Sequence, residues 1–490
     1  MTREISRQAF LRGTLGTVAA GALASACRSS APETGTPPSS QTPSAVSGPR
    51  GWSDLDDAID GHVVLPSSPD YAAAKDIFNA RFNDSAPAAV VTVKSTADVS
   101  RAVEFAASKD IKVSVRSGGH SYIGASAADG AMVIDLRQLP GETTFDGSEH
   151  ATIPAAAQLD SAQTTLASHG RSVPSGSCPT VGIAGLTLGG GFGSDARLSG
   201  LTCDALVSAA VVLPSGESVT ASADEHPDLF WALRGGGGNL GVVTSLVFRT
   251  FPVADRDVAT LVFPDGATAQ AVFGWYEWLR TADRAIWGMV NITADAGSQR
   301  CTIVLATTAG DGNNRARDLS AAIGVQPVST TTRTLDRMDF VHYFEGGPQA
   351  TQPRSFIAGS DIIGEMTQAA ADSIVNATSA WPRDAGSATA VIESLSGAVA
   401  DAGPGDTAFP WRRQAACVQW YTEPPTPQEV ETATAWLADA HAAVQTHSVG
   451  GYVNYVEVST PASRYFGDNT DRLSAIRRKY DPAGLMYSAM

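Results

Sequence analysis

From residue 52 onward the spacing of apolar and polar positions changes often, and each change marks an element. Ala88 to Val93 and Met132 to Leu136 are short apolar runs, while Ile111 to Val115 alternates apolar with polar, so all three read as strands. Ser95-Thr96-Ala97-Asp98 is a start signal for a helix on which Val99, Ala102, Val103 and Ala106 share one face. Strand, helix and strand in so short a span make a βαβ unit. Pro69 to Phe82 also has helical spacing. Ala209 to Leu213, a turn at Pro214 to Glu217 and Ser218 to Thr220 read as a hairpin. Later, Phe273, Trp275, Tyr276 and Trp278 fall on a helix and several β-rich runs follow. Near the end, Leu473, Ile476 and Tyr480 share a helical face that stops at Asp481-Pro482.

A βαβ unit invites a dinucleotide reading, but no G-x-G-x-x-G stands at its strand-to-helix turn, which disfavours a nicotinamide fold. Glycine collects elsewhere. The alternating strand empties into Arg116-Ser117-Gly118-Gly119-His120-Ser121, whose bare backbone N–H groups and guanidinium could cradle a phosphate. Gly176-Ser177-Cys178-Pro179-Thr180-Val181-Gly182 leads into a second run from Gly185 to Gly193, another place where backbone can approach a ligand closely. Alone, each is more often an ordinary tight turn.

Composition narrows the choices. The 490 residues, 43% hydrophobic and 17% charged, suffice for two domains and an ample core. A net charge of -16 argues against nucleic acid or an anionic membrane as partner. Residues 1–27 read as an export signal: Arg3, Arg7 and Arg12 precede a Gly/Ala-rich apolar stretch too short for a permanent span. Ser6 to Arg12 is similar to a twin-arginine signal, with Gln8 where the second arginine belongs. Ala24-Ser25-Ala26-Cys27 reads equally as a lipoprotein box, making Cys27 a lipid anchor, or as a plain cleavage site. Residues 28–51, rich in Ser, Thr and Pro, read as a disordered tether. Cys203, Cys301 and Cys417 match no metal spacing and read as buried thiols, and no histidine pair suggests a catalytic metal.

Together the two glycine-rich loops resemble the flavin-linked oxidases of the berberine-bridge-enzyme type, in the vanillyl-alcohol-oxidase/p-cresol-methylhydroxylase superfamily. Asp228 to Thr244, Tyr452-Val453-Asn454-Tyr455, Tyr465-Phe466-Gly467 and Lys479-Tyr480-Asp481-Pro482 extend the likeness over nearly the whole chain after the leader. The resemblance implies FAD bonded through its 8α-methyl to His120 and through C6 to Cys178. It assigns Arg116, Ser117, Gly118, Gly119, Ser121, Val181, Gly182, Gly185, Val243 and Asn454 to the cofactor.

The fold implied is α+β: a two-part FAD-binding domain of the p-cresol-methylhydroxylase type at 52–253, an antiparallel-sheet substrate cap at 254–445, and a C-terminal return at 446–490. The resemblance places a tyrosine base at Tyr455 or Tyr452, and Gln419 on a strand pointing into the site as a substrate hydrogen-bonder. With Cys417 and Ala415 beside it, that strand offers no carboxylate. Val181 falls where the family gates oxygen, and its small size resembles the oxidases. The expected activity is an exported oxidase acting on a hydroxyl of a sugar, oligosaccharide or natural product, with dioxygen as acceptor and hydrogen peroxide as product. A dehydrogenase with another acceptor and a non-catalytic surface lipoprotein remain open. Trp275, Trp278, Trp287 and Trp411 could stack a sugar or fill a core.

Overall fold

The computed structural model describes residues 51–345, 351–424 and 426–488. The export signal at 1–27 with Cys27, and the tether at 28–51 apart from Gly51, lie outside the described residues.

The βαβ unit forms, and its helix starts for the reason the sequence suggests. Ser95 caps Thr96–Lys109 by accepting the Asp98 N–H at 3.0 Å. The Asp98 carboxylate accepts instead from the N–H groups of Lys94 (2.9 Å) and Asp60 (3.1 Å), tying the helix start to the preceding turn. Strands His62–Val64, Ala89–Thr92, Met132–Asp135 and Val113–Arg116 lie in that spatial order, the last three parallel. A parallel sheet is covered on both faces, so alternation along Val113–Arg116 does not separate core from solvent. Ser114 and Arg116 are as buried as Val113.

The helix expected over Pro69 to Phe82 is interrupted. Tyr71–Lys75 is helical, then Asp76 to Asn79 runs out before a short turn at Ala80–Phe82. Tertiary bonds override local spacing here. The Phe78 N–H donates to Gly119 O at 3.1 Å, and Asn79 forms a β-bridge with Arg354.

A second, antiparallel sheet orders Thr144–Phe145, His150–Pro154, Val242–Arg249, Leu206–Val212 and Ser218–Ser222. It shares one hydrophobic core with the first, closed by helix Thr470–Tyr480 through Leu473, Ile476 and Tyr480. Beyond Pro252 the chain builds an eight-stranded antiparallel sheet. Its spatial order is Ser329–Leu335, Arg256–Phe263, Ser298–Thr308, Trp287–Asp295, Ser387–Ser394, Ala416–Thr422, Ile357–Ile363 and Ser448–Gly450. The last strand lies past residue 445, where the sequence reading ends the cap. Helices Thr268–Thr281, Gly312–Ile323, Gln368–Ser379 and Pro427–Val444 contribute to a core against this sheet, with Trp275 wholly buried in it and Trp278 packed at its side. The expected α+β architecture, a two-part domain plus an antiparallel cap, is the one observed.

Buried ions join the two parts. Asp195 accepts from Arg337 at 2.9 Å and Arg256 at 3.3 Å, both from the cap, and Arg337 continues to Ser172 Oγ (2.6 Å) and Gln163 Oε1 (3.2 Å). Arg412 grips Asp204 with two bonds of 2.7 and 2.8 Å. Removing one member of such a group strands the others in low dielectric. Asp195→Ala should therefore lower the unfolding free energy by about 3–5 kcal/mol, read by urea titration.

Candidate active site

The loops after Val113–Arg116 and before Ile183–Leu188 meet backbone to backbone. A Cβ on Gly118 would stand 2.2 Å from Gly182 N, and one on Gly182 would stand 2.0 Å from Ser117 Oγ and 2.3 Å from Gly118 N. Glycine at both positions is a condition of that contact. Ser117 Oγ donates to Ala155 O at 2.6 Å and the Leu159 N–H to Val181 O at 2.9 Å, so both loops are tied to the same flank.

Between these loops and the inner face of the cap sheet lies a cavity of about 410 Å³, within the range of small-molecule sites. Ser117, Gly118, Gly119, His120 and Ser121 line it from the first loop, and Cys178, Val181, Gly182 and Gly185 from the second. Val243 lines it from the second sheet, and Gln419, Tyr452, Asn454 and Tyr455 from the cap and the C-terminal segment.

Arg116 is the exception. Its guanidinium is fully buried and turned from the cavity, donating to Asp135 Oδ2 at 2.9 Å and to the carbonyls of Ala74 (2.5 Å), Lys75 (3.2 Å) and Asp76 (3.4 Å). It braces the loop from behind and is not a phosphate ligand. The side chain of a strand residue points to one face only, and here that face is the one away from the site.

His120 stacks on Phe78 with ring centroids 3.9 Å apart, and its Nε2 lies 2.9 Å from Thr180 Oγ1 on the other loop. Enclosure by protein disfavours the imidazolium, the Arg354 guanidinium adds to this, and a bond from Thr180 opposes it only in part. The pKa falls to about 3. The imidazole is therefore neutral and nucleophilic throughout the physiological range. Cys178 carries an exposed thiol in no disulfide. A neutral imidazole and a thiol on facing loops, with side-chain-free backbone between them, suit a flat ring system that is bonded at one edge.

Tyr452 does not suit the role of base. Its hydroxyl is buried and accepts from the Gly191 N–H and from Asn454 Nδ2, each at 2.8 Å, and burial pushes its pKa up. Asn454 also donates to Leu186 O at 2.9 Å, so it holds the cofactor-side segment in place. Tyr455 is half-buried, stacked on Tyr122 at 5.2 Å and edge-on to Tyr452 at 4.9 Å. Gln419 Nε2 donates to the Tyr122 hydroxyl at 2.7 Å, which joins three side chains into one wall.

Several lining residues escape the sequence reading. On the cap sheet they follow the pleat and join the two residues already expected there: Met289 and Asn291 beside Trp287 on one strand, Thr389, Val391 and Glu393 on the next, and Tyr421 beside Gln419 on the third. Glu393 is register partner of Cys417, which is buried with Tyr452 and Phe409. The site thus has a carboxylate, supplied by the neighbouring strand. The alternation Ala388-Thr389-Ala390-Val391-Ile392-Glu393 is the signal that could have found it. Arg354 also lines the cavity, 5.4 Å above the Phe78 ring and 3.2 Å from Glu423. Of the four tryptophans weighed for sugar stacking, Trp287 alone lines the cavity, edge-on to Phe344 at 5.3 Å. Trp411 is buried and donates to Gly451 O at 2.8 Å.

Since Gly182 has no room for a side chain, Gly182→Ala should part the two loops. Purified variant protein is expected to carry well under half of the visible flavin absorbance of the parent at equal protein concentration. A full yellow spectrum would show that the contact is dispensable.

A family profile described as FAD binding domain matches residues 87–222, and one described as berberine and berberine like matches 451–488. The second covers the segment that carries Tyr452, Asn454 and Tyr455. A chitooligosaccharide oxidase from Gibberella zeae is 30% identical over 441 residues, 81% of this chain and 86% of that protein. A xylooligosaccharide oxidase from Thermothelomyces thermophilus is 28% identical over 440 residues, 83% of this chain and 88% of that protein. Among solved structures, a chitooligosaccharide oxidase superposes with a TM-score of 0.81 at 27% identity, over 89% of this chain and 97% of that one. Likeness at this level over most of both chains is kinship, and the chain belongs to the berberine-bridge-enzyme-like family of FAD-linked oxidoreductases, with FAD as its cofactor.

Proposed function

We propose that the chain is an exported oxidase that takes a hydroxyl or hemiacetal of a sugar or oligosaccharide to the carbonyl level, with its flavin bonded to both His120 and Cys178. The supporting observation is a single cavity onto which His120, Cys178, Gln419, Glu393 and Tyr455 all open. The relatives named for chitooligosaccharides and xylooligosaccharides suggest the substrate class. Export, with or without a lipid on Cys27, rests on the leader sequence, and the mass of the mature N-terminus decides it.

Bound FAD supplies a two-electron acceptor that dioxygen restores with release of hydrogen peroxide. The protein must bind the sugar, orient it and accept one proton. His120 and Cys178 are the residues that would hold the flavin covalently, each new bond formed at the expense of one flavin carbon–hydrogen bond and one N–H or S–H, with dioxygen as the two-electron oxidant. The neutral imidazole of His120 is ready for this without first losing a proton. Tyr455 is the group we assign to meet the substrate hydroxyl, and the proton it takes up needs somewhere to go. Glu393, a carboxylate on the same cavity, is the acceptor we assign. Gln419 holds Tyr122, and Tyr122 backs Tyr455, so the three orient the hydroxyl to be oxidised. Val181, half-buried with its N–H donating to Cys178 O at 3.3 Å, is the residue we assign to oxygen access.

Tyr455→Phe should keep its covalent flavin and lose about 10²–10⁴-fold in kcat, with peroxide release measured against a panel of oligosaccharides. Full activity in that variant would remove Tyr455 from the chemistry. His120→Ala and Cys178→Ala should each keep flavin fluorescence on a denaturing gel, and the double variant should lose it. Because His120 is neutral well below neutrality, the fraction of covalent flavin formed on reconstitution of Cys178→Ala should not change between pH 5 and pH 8. A fall in that fraction toward pH 5 would mean the imidazole titrates there.

A further inference from the structure

Outside the cavity, one group of charges is built into the joint between the cap and the C-terminal segment. Asp361, on the strand Ile357–Ile363, is fully buried and accepts four bonds. They come from Trp420 Nε1 (2.8 Å), His441 Nδ1 (2.6 Å), Ser448 Oγ (2.6 Å) and Arg464 (2.8 Å). The other ring nitrogen of His441, Nε2, lies 2.8 Å from Glu457 Oε2.

Both nitrogens of His441 thus face carboxylate oxygens, which only accept. Both must carry hydrogen, so this ring is an imidazolium. The charges close on that basis: Asp361 and Glu457 against His441 and Arg464. Burial works against the charged ring, yet the bonds to Asp361 and Glu457 outweigh it and hold the His441 pKa up at about 9. Burial works against the Asp361 carboxylate too, but His441, Arg464 and Ser448 hold it below the usual carboxylate range.

The joint grips the segment that carries the tyrosines from both faces of one strand. On the cavity face, Ser360 Oγ accepts the Tyr452 N–H at 2.9 Å; Ser360 is the register partner of Gln419. On the opposite face, the Glu457 carboxylate lies on Gly359, where a Cβ would come within 2.5 Å of it. Tyr455 sits between these two anchors, two residues before Glu457.

We propose that His441 is a positioning residue for the reaction: its imidazolium, clamped between Asp361 of the cap sheet and Glu457, fixes the segment that presents Tyr455 to the cavity. This rests on the reading of Tyr455 as the group that meets the substrate hydroxyl. His441 does not line the flavin cavity; its side chain is 21% exposed on the outer surface, so bulk solvent sets its charge. When the ring loses a proton, one nitrogen turns a lone pair toward a carboxylate and the buried charges no longer balance. Glu457 is the partner that lets go. Its Oε2 accepts from His441 and its Oε1 is buried with no donor among the described residues, whereas Asp361 keeps three other bonds. Arg464, 3.3 Å from Nδ1, is the other charge facing the ring, and Tyr465, whose hydroxyl accepts the Glu457 N–H at 2.9 Å, is the titratable group behind it.

The test uses the flavin-loaded protein and its Glu457→Gln variant, with His441→Gln as the more drastic change. Amide hydrogen exchange of residues 451–466, corrected for intrinsic rates, is expected to rise about tenfold in the parent between pH 7 and pH 10. In Glu457→Gln one carboxylate that favours the charged ring is gone, so the midpoint should move down by about one pH unit or more. With xylobiose as the probe, kcat should fall over the same window in each protein while KM changes less than about twofold. Exchange that is flat with pH in the parent, or superimposable curves for parent and Glu457→Gln, would overturn the proposal. Full activity of Tyr455→Phe would instead defeat the assignment of the base, and the exchange data would still judge the clamp.

Discussion

Two backbones can share one wall of a cavity only where neither puts an atom beyond Cα between them. The Gly118–Gly182 contact meets that condition, and the rest of the site depends on it. It brings a loop from the parallel sheet against a loop that opens the next helix, and so sets an imidazole and a thiol on one cavity. The groups behind the contact are polar, and each makes at least one hydrogen bond or close polar contact. Arg116 bonds to Asp135, Ser117 to Ala155, and Thr180 approaches His120. A loop pair braced this way gives up little freedom when a ring is laid across it, because the ordering was completed on folding.

The cap contributes in a different manner. Its sheet presents alternate residues to the cavity, so Asn291, Val391 and Gln419 stand at one level across three strands and Glu393 one pair further along, beside Met289, while the intervening residues enter a hydrophobic core. Glu393 puts a carboxylate on that face beside apolar and amide neighbours. Tyr452, with its hydroxyl committed to two donors, belongs to the frame and not to the chemistry.

What could be read from the chain beforehand follows from how local each signal is. The glycine loops carry their own pattern, and so do the Ser95 cap and the Leu473, Ile476, Tyr480 face. Each is set by neighbours in sequence. The direction of Arg116 was not legible, because a strand covered on both faces hides which side holds the ligand. The break at Asp76 was not legible either, since the bonds that pull Asp76 to Asn79 out of a helix come from Gly119 and Arg354. Glu393 was missed because only register with the next strand brings it beside Cys417. His441 reads as an ordinary helix residue until the fold sets Asp361 and Glu457 on either side of it.

The Asp195, Arg256 and Arg337 group bears on how molecules come and go. Swinging the cap away would pull two guanidinium groups from their shared carboxylate in a setting where water cannot replace it at once. The group therefore holds the cap against the flavin domain, and opening the cap would cost the pairing of buried ions. On the oligosaccharide reading proposed above, a substrate longer than the cavity would keep its far end outside the joined parts.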